Sequence, residues 1–448
     1  MKSKNDYLKT AAENFLCVAP PQERLVGMEA VSAWFNEHNF AYPRYFAPDG
    51  SGIGFNEDGA NAARLLTESL LKDNPRYYRG TDFQTLLSEV ASELIRAIRS
   101  GSPHQDHKAF EEKIDSWLAA ESEPRSHFIP CVISPYPSRT FSVGPVTFHS
   151  LHEFITAHEI STKNELDKLS YRQLLAYSTE QNAHWIAEVQ TDGYDKTRAA
   201  EHADISIDIA LVALQLVMPS SVCKEISRST ARTTPQQIGI FQKKGNNLSV
   251  MVARVDPCFS YSAQYFDHIL RENEKILQSV GNRVKAFVQG ESNLIRLDQS
   301  WCDAAYWFHE GLSEKLDTVA ITKMETSIEV LLSAQSTQGC KDRLLKSFQA
   351  FYELSAKQFL KENDPRTVIQ FISSVVTARS RVLHGTWSTL NYRKPAQDER
   401  RHRYEIESLA RDLITHFTLR LDHYKKTDKP EDDITKFLDW VSTQERDT

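Results

Sequence analysis

TVIQFISSVVTARSRVLHGTW, Thr367–Trp387, is the stretch on which the reading of this chain turns. Placed on a helix at about 100° per residue, Val368, Phe371, Ile372, Val375, Val376, Val382 and Leu383 gather in an arc of about 140°. Arg379 falls near the middle of that arc. Burying an unpaired guanidinium costs several kcal/mol, so Arg379 must pair or must face an interface or a cavity. The acids nearest to hand are Glu325 and Glu329, on a preceding helix. His384 follows five residues later, about 140° around an ideal helix, and Gly385 after it can loosen or end that helix. Imidazole moves protons near neutrality and guanidinium forks onto phosphate oxygens, a pairing that suits phosphodiester chemistry. Because the two diverge around one helix, two copies meeting across a dimer would supply a fuller site.

Outward from this stretch the pattern is helical on both sides. Apolar spacing predicts helices over Asp298–Leu316, Thr318–Ala334, Lys341–Phe359, Arg366–Leu383 and Arg401–Lys425, with a last amphipathic piece at Asp433–Val441. Gly339, Asn363-Asp364-Pro365 and Pro395 separate them, which predicts an up-and-down bundle. Residues 1–125 read as a helical region, with Ala60–Leu71 and Phe83–Ile98 the clearest helices. Past the charged, proline-bearing ESEPRS (Glu121–Ser126) the texture changes. HFIPCVIS, TFSVGPVTFHS and HWIAEVQTDG read as strands, and QQIGIFQ and NNLSVMVARV read as a hairpin across KKGNN. Lys196–Val217 reads as a helix among them. The expectation is a mainly α protein with an α/β middle region. Residues 1–125 form the helical N-terminal region, 126–290 a mixed α/β accessory or sensor domain, and 291–448 the bundle.

Composition bounds the function. The chain has 448 residues, 53 Lys plus Arg against 60 Asp plus Glu, and a formal charge of −7, so no basic coat for nucleic acid exists and any such site is a local patch. No run approaches the roughly 20 apolar residues that span a bilayer, and the N-terminus MKSKNDYLKTAAENF lacks the apolar core of a signal peptide. Six scattered cysteines without a CxxC pair argue against a disulfide framework and fit a reducing, cytoplasmic setting. Several motifs fail on spacing. His152 and His158 in HEFITAH lie six apart and cannot share a metal as HExxH does. GSGIGFNEDG (Gly50–Gly59) has no following GK[ST] and reads as a surface loop rather than a phosphate cradle. No GxSxG elbow occurs.

An arginine, four to six arbitrary residues and a histidine, late in a small helical bundle, form the signature of the HEPN superfamily. ARSRVLHG resembles the Apea-like HEPN branch, in which an RS…HG pattern closes the motif. SIEVLLSA (Ser327–Ala334) is similar to that branch's second-helix signature, and WCDAAYWFHEGL to its first helix. The match covers roughly Leu297–Lys425. Where the superfamily more often has Asn, Asp or His after the arginine, this chain has Ser380. The resemblance implies a metal-independent endoribonuclease without cofactors, acting as a homodimer through the C-terminal bundle. His384 would be the general acid/base and Arg379 the phosphate holder, with Ser380, Glu325 and Glu329 in support. The products would carry 2′,3′-cyclic phosphate ends. Such proteins serve as toxins or anti-phage defence effectors, with residues 1–290 left to sense a trigger ligand or protein.

Composition agrees locally. Ala378–Arg403 holds seven Lys/Arg against two acids, an excess of five. Arg381, Arg393, Lys394, Arg400, Arg401 and Arg403 are the candidate RNA contacts, with Trp387, Tyr392 and Tyr404 available to stack on bases. The alternative reading is a catalytically inactive HEPN-type module for dimerisation or for RNA or nucleotide binding, in which Arg379 is a buried structural charge.

Overall fold

The computed structural model describes residues 3–23, 25–104, 106–137, 139–161, 164–231, 238–244, 247–253, 262–360, 365–384 and 396–444. The chain is mainly helical with short antiparallel strands. It divides into two compact units, Met1–Arg125 with Thr191–Glu201, and Ser126–Gln190 with His202–Thr448. Among the described residues no helix is long and apolar enough to cross a membrane.

The first unit contains α1 (Lys4–Glu13), β1 (Phe15–Val18), α2 (Met28–Glu37), β2 (Ala41–Phe46), β3 (Gly52–Phe55), α3 (Glu57–Asp73), α4 (Pro75–Gly80), α5 (Phe83–Arg99) and α6 (His107–Glu121). Its helix starts are written in the sequence. Asn56 caps α3 through Gly59, Pro75 opens α4, and Asp82 accepts from the amides of Gln84 and Thr85 at α5. Leu66, Leu70, Leu86, Val90, Leu94, Phe110 and Leu118 bury the facing stripes. The antiparallel sheet, in the order β1-β3-β2, was not expected from the sequence. The run GSGIGF, expected on the surface, instead contains the buried central strand β3. Glycine is required there because a Cβ at Gly52 would run into the Trp34 ring. Thr191–Glu201 is held to this unit by Asp195, which accepts from the Thr81 hydroxyl at 2.5 Å.

The second unit is built on a sheet in the order β5-β6-β7-β4-β8, from β4 (Arg125–Val132), β5 (Phe141–Val143), β6 (Val146–Ser150), β7 (Trp185–Thr191) and β8 (Ser227–Arg228). Helices α7 (Leu151–Ser161), α8 (Glu165–Glu180), α9 (Lys196–Val217) and α10 (Ser220–Cys223) lie among these strands in the chain. The two-residue β8 is pinned by charge. Arg228 forks onto Asp208 of α9 at 2.8 and 2.7 Å and reaches Asp204 at 2.7 Å. A separate antiparallel hairpin pairs β9 (Ile238–Lys244) with β10 (Asn247–Ala253).

Helices α11 (Ala263–Glu272), α12 (Glu274–Gln289), α13 (Ile295–Leu312), α14 (Asp317–Leu331), α15 (Thr337–Tyr352), α16 (Val368–Val376), α17 (Ala378–Leu383), α18 (Ala396–Tyr424) and α19 (Ile434–Thr443) follow. One apolar core runs from Cys131 to Val441, so the sheet and the helices form a single body across the boundary expected at 290. Trp301 is fully buried in it and donates to the Thr418 hydroxyl at 2.9 Å, tying α13 to α18. The third expected bundle helix ends early, at Tyr352, because Glu353 turns left-handed (φ 58°). Sheet and helices approach closely where Gly144, in the β5–β6 turn (φ 60°), lies against Gly281 of α12. A Cβ on Gly281 would strike the Gly144 backbone. Gly281→Ala should therefore cost about 1–3 kcal/mol of unfolding free energy, measurable by urea denaturation.

Candidate functional site

The decisive stretch does not form one helix. Thr367 and Gln370 cap the start of α16 reciprocally, and Val368, Phe371, Ile372, Val375 and Val376 bury its apolar face. At Thr377 the hydroxyl folds back onto the Ser373 carbonyl at 2.8 Å, and the helix stops. A separate six-residue helix, α17, then carries the motif. The apolar arc ends with α16. Beyond Ala378, Val382 is half-buried and Leu383 is 69% exposed. Arg379 is thus not at the centre of a buried seam, as the wheel suggested, and its side chain is 38% exposed.

Two acids of α14 hold it in place. They lie four residues apart, on one face of that helix. Glu329 meets the guanidinium, Oε2 to Nη1, at 2.7 Å, while Glu325 accepts the backbone N–H of Arg379. Arg379 is therefore gripped at both ends by the same chain. Glu325 is almost wholly buried, and burial pushes its carboxyl up to about 7. The Arg379 amide opposes this shift, and the negative charge of Glu329 adds to it. Burial also raises Glu329, against the pull of Arg379.

The raised Glu325 carboxyl makes stability depend on pH. Its ordinary value is 4.5, so the unfolded chain gives up this proton first. The stability it contributes is fully present below about pH 4.5 and is lost as pH rises through about 7, a difference of about 3 kcal/mol. Glu325→Gln keeps an acceptor for the Arg379 amide and removes the titration. Melting temperatures read from pH 4 to 8 should fall less steeply in that variant, and a curve parallel to the parent's would refute this origin.

His384 caps the end of α17, exposed, with its backbone N–H on the Ser380 carbonyl at 2.9 Å. Ser380 itself is exposed. The α14–α17 packing thus brings together Glu325, Glu329 and Arg379, with His384 at the tip of the same short helix.

Of the six expected RNA contacts, the side chains of Arg381 and Arg403 are described. Arg403 is committed elsewhere. It pairs with Asp317 at 2.9 Å and donates to the Leu312 carbonyl at 3.3 Å, so it fastens α18 to the α13–α14 turn. Arg381 is exposed near His402, whose ionisation it discourages. Arg393 and Lys394 lie outside the described residues, as do Trp387 and Tyr392; Arg400 and Arg401 fall in α18, their side chains outside the description. Tyr404 is 72% exposed.

Beside α17 stands a second charged group that the sequence reading did not single out. Arg366 forks onto Glu405 at 3.0 and 2.7 Å, next to buried His402, whose pKa burial lowers. Their separation of about forty positions hid them, since only the folded chain makes Arg366 and Glu405 neighbours. Compared with protein-family models, curated proteins and solved structures, the chain matches none.

Proposed function

We propose that this chain is a metal-independent endoribonuclease of the HEPN type, with Arg379 and His384 as its working pair. The observation that supports the reading is that Arg379, though paired, keeps a side chain 38% exposed on the same short helix whose tip leaves His384 exposed. A guanidinium has five N–H donors, so one engaged by Glu329 leaves others for a phosphate. His384 takes the proton of a ribose 2′-hydroxyl as its oxygen attacks phosphorus. The bond to the 5′ oxygen breaks, and the imidazolium of a second copy returns a proton to that oxygen. Arg379 offsets the charge that builds on the phosphoryl oxygens. The chain acts as a homodimer, as a toxin or anti-phage effector, with residues 1–290 restraining or triggering it.

Purified full-length chain should cut single-stranded RNA in EDTA and leave cyclic phosphate ends. A single 2′-deoxy substitution should block the cut at that position. Equal cutting by the parent, Arg379→Ala and His384→Ala would overturn the assignment. One observation favours a second reading, a non-catalytic dimerising module: Glu329 of the same chain already holds the guanidinium. In that case Arg379→Ala lowers the melting temperature, while His384→Ala changes neither melting nor RNA.

A further inference from the structure

A positively charged surface of the second unit lies along α12. Two adjoining depressions, of about 440 and about 470 Å³, share Gln278 and Asn282 and run together along α12. Between them they are lined by seven Lys/Arg and two acids, in a chain whose formal charge is −7. Their spine is a stripe of exposed polar residues, Lys275, Gln278, Asn282 and Lys285. Steps of three, four and three residues keep these within about 80° of one another on the helix. Lys275 and Lys285 stand about 15 Å apart, a reach that spans several consecutive phosphates.

Of the two lining acids, Glu274 is exposed and Asp422 is held by its neighbours. Asp422 accepts from Ser279 at 2.5 Å, from Asn282 at 2.9 Å and from buried Arg283. Asp298 behind it is met by Arg283 at 2.9 Å and Lys425 at 2.5 Å. Two cations thus balance two carboxylates. Among the described residues Lys275, Lys285 and Lys426 have no ion-pair partner, and their charge is left for an outside anion. Of the apolar lining residues, Phe141, Leu270 and Leu277 are buried and Leu419 is half-buried, which leaves little there to insert among lipid tails. A concave basic stripe with side-chain amides between its lysines suits a phosphodiester strand, the amides reaching ribose or base edges.

We infer that this groove along α12 binds the backbone of single-stranded RNA. That the strand is RNA rests on the ribonuclease reading above; the groove itself rests on geometry and charge. The test is fluorescence anisotropy with a labelled single-stranded RNA oligonucleotide and the full chain, in a His384→Ala background so that the strand survives. Lys275→Glu, Lys285→Glu and Lys426→Glu together should weaken binding at least tenfold at low salt. They should also reduce the slope of log K against log salt by about 2, from about 0.7 for each lost phosphate contact. The Lys→Gln triple should show the same loss of slope without charge reversal, and the Lys→Arg triple should retain binding. Unchanged affinity and slope in the Lys→Glu and Lys→Gln triples would overturn the inference, as would an absence of RNA binding by the starting protein. Equal, lysine-dependent binding to phosphatidylserine vesicles would overturn it in favour of a membrane surface. Lysine-dependent RNA binding without any cutting in the His384-containing parent would uphold the groove and remove the nuclease reading alone.

Discussion

RNA cutting should fall by about 10²–10⁴-fold when His384 becomes alanine, the range that a positioned proton-transfer group supplies. The melting temperature should stay where it was. His384 is exposed and ends a helix, so truncating it opens no cavity and strands no buried group. That separation of activity from stability gives the variant its force. Arg379→Ala should also abolish cutting, but it is the less selective probe, because it removes the partner of half-buried Glu329. Arg379→Lys sharpens the comparison. Lysine keeps the charge but not the fork, so cutting should stay low while the melting temperature recovers. Full activity in His384→Ala would end the assignment, whatever happened at Arg379.

Arg283→Ala should cost about 3–5 kcal/mol of unfolding free energy, the expected penalty for breaking a buried ion pair from one side. Arg283 is fully buried and meets Asp298 of α13 and Asp422 of α18. Its removal would leave two carboxylates facing a cavity, with Lys425 the remaining cation on Asp298. Three helices would lose their common charge at once. Guanidinium denaturation should show a lower midpoint with an unchanged slope. A change below about 1 kcal/mol would mean that water or Lys425 fills the role, and that the network is not what joins these helices.

Local signals carried much of the fold. Lys196–Val217 could be read as a helix to the residue, since its apolar run and the turn after it leave little choice. The first unit's sheet was harder, because GIGF and AYPRYF carry the glycines and the proline that ordinarily mark loops. Their strand state comes from the Trp34 and Phe40 rings packed around β3, which no local pattern announces. The helix break at Thr377 escaped the wheel for a related reason. A wheel extends any apolar periodicity, and it does not register a threonine hydroxyl competing for the carbonyls of its own turn. Glu325 and Glu329 were legible as partners of Arg379, but the division of labour between them was not. The basic groove was invisible because its cations come from three distant segments, around 139, 271–285 and 425–426.

The shortness of α17 has a consequence of its own. Six residues cannot sustain a helix in water, where the first turn fixes several torsions for a single bond. Its order must come from outside, and Glu325 supplies part of it through one amide. A nudge to α14, from a docking protein or from a proton arriving at that carboxyl, would therefore reach the imidazole at the far end of α17 with little of the bundle in between.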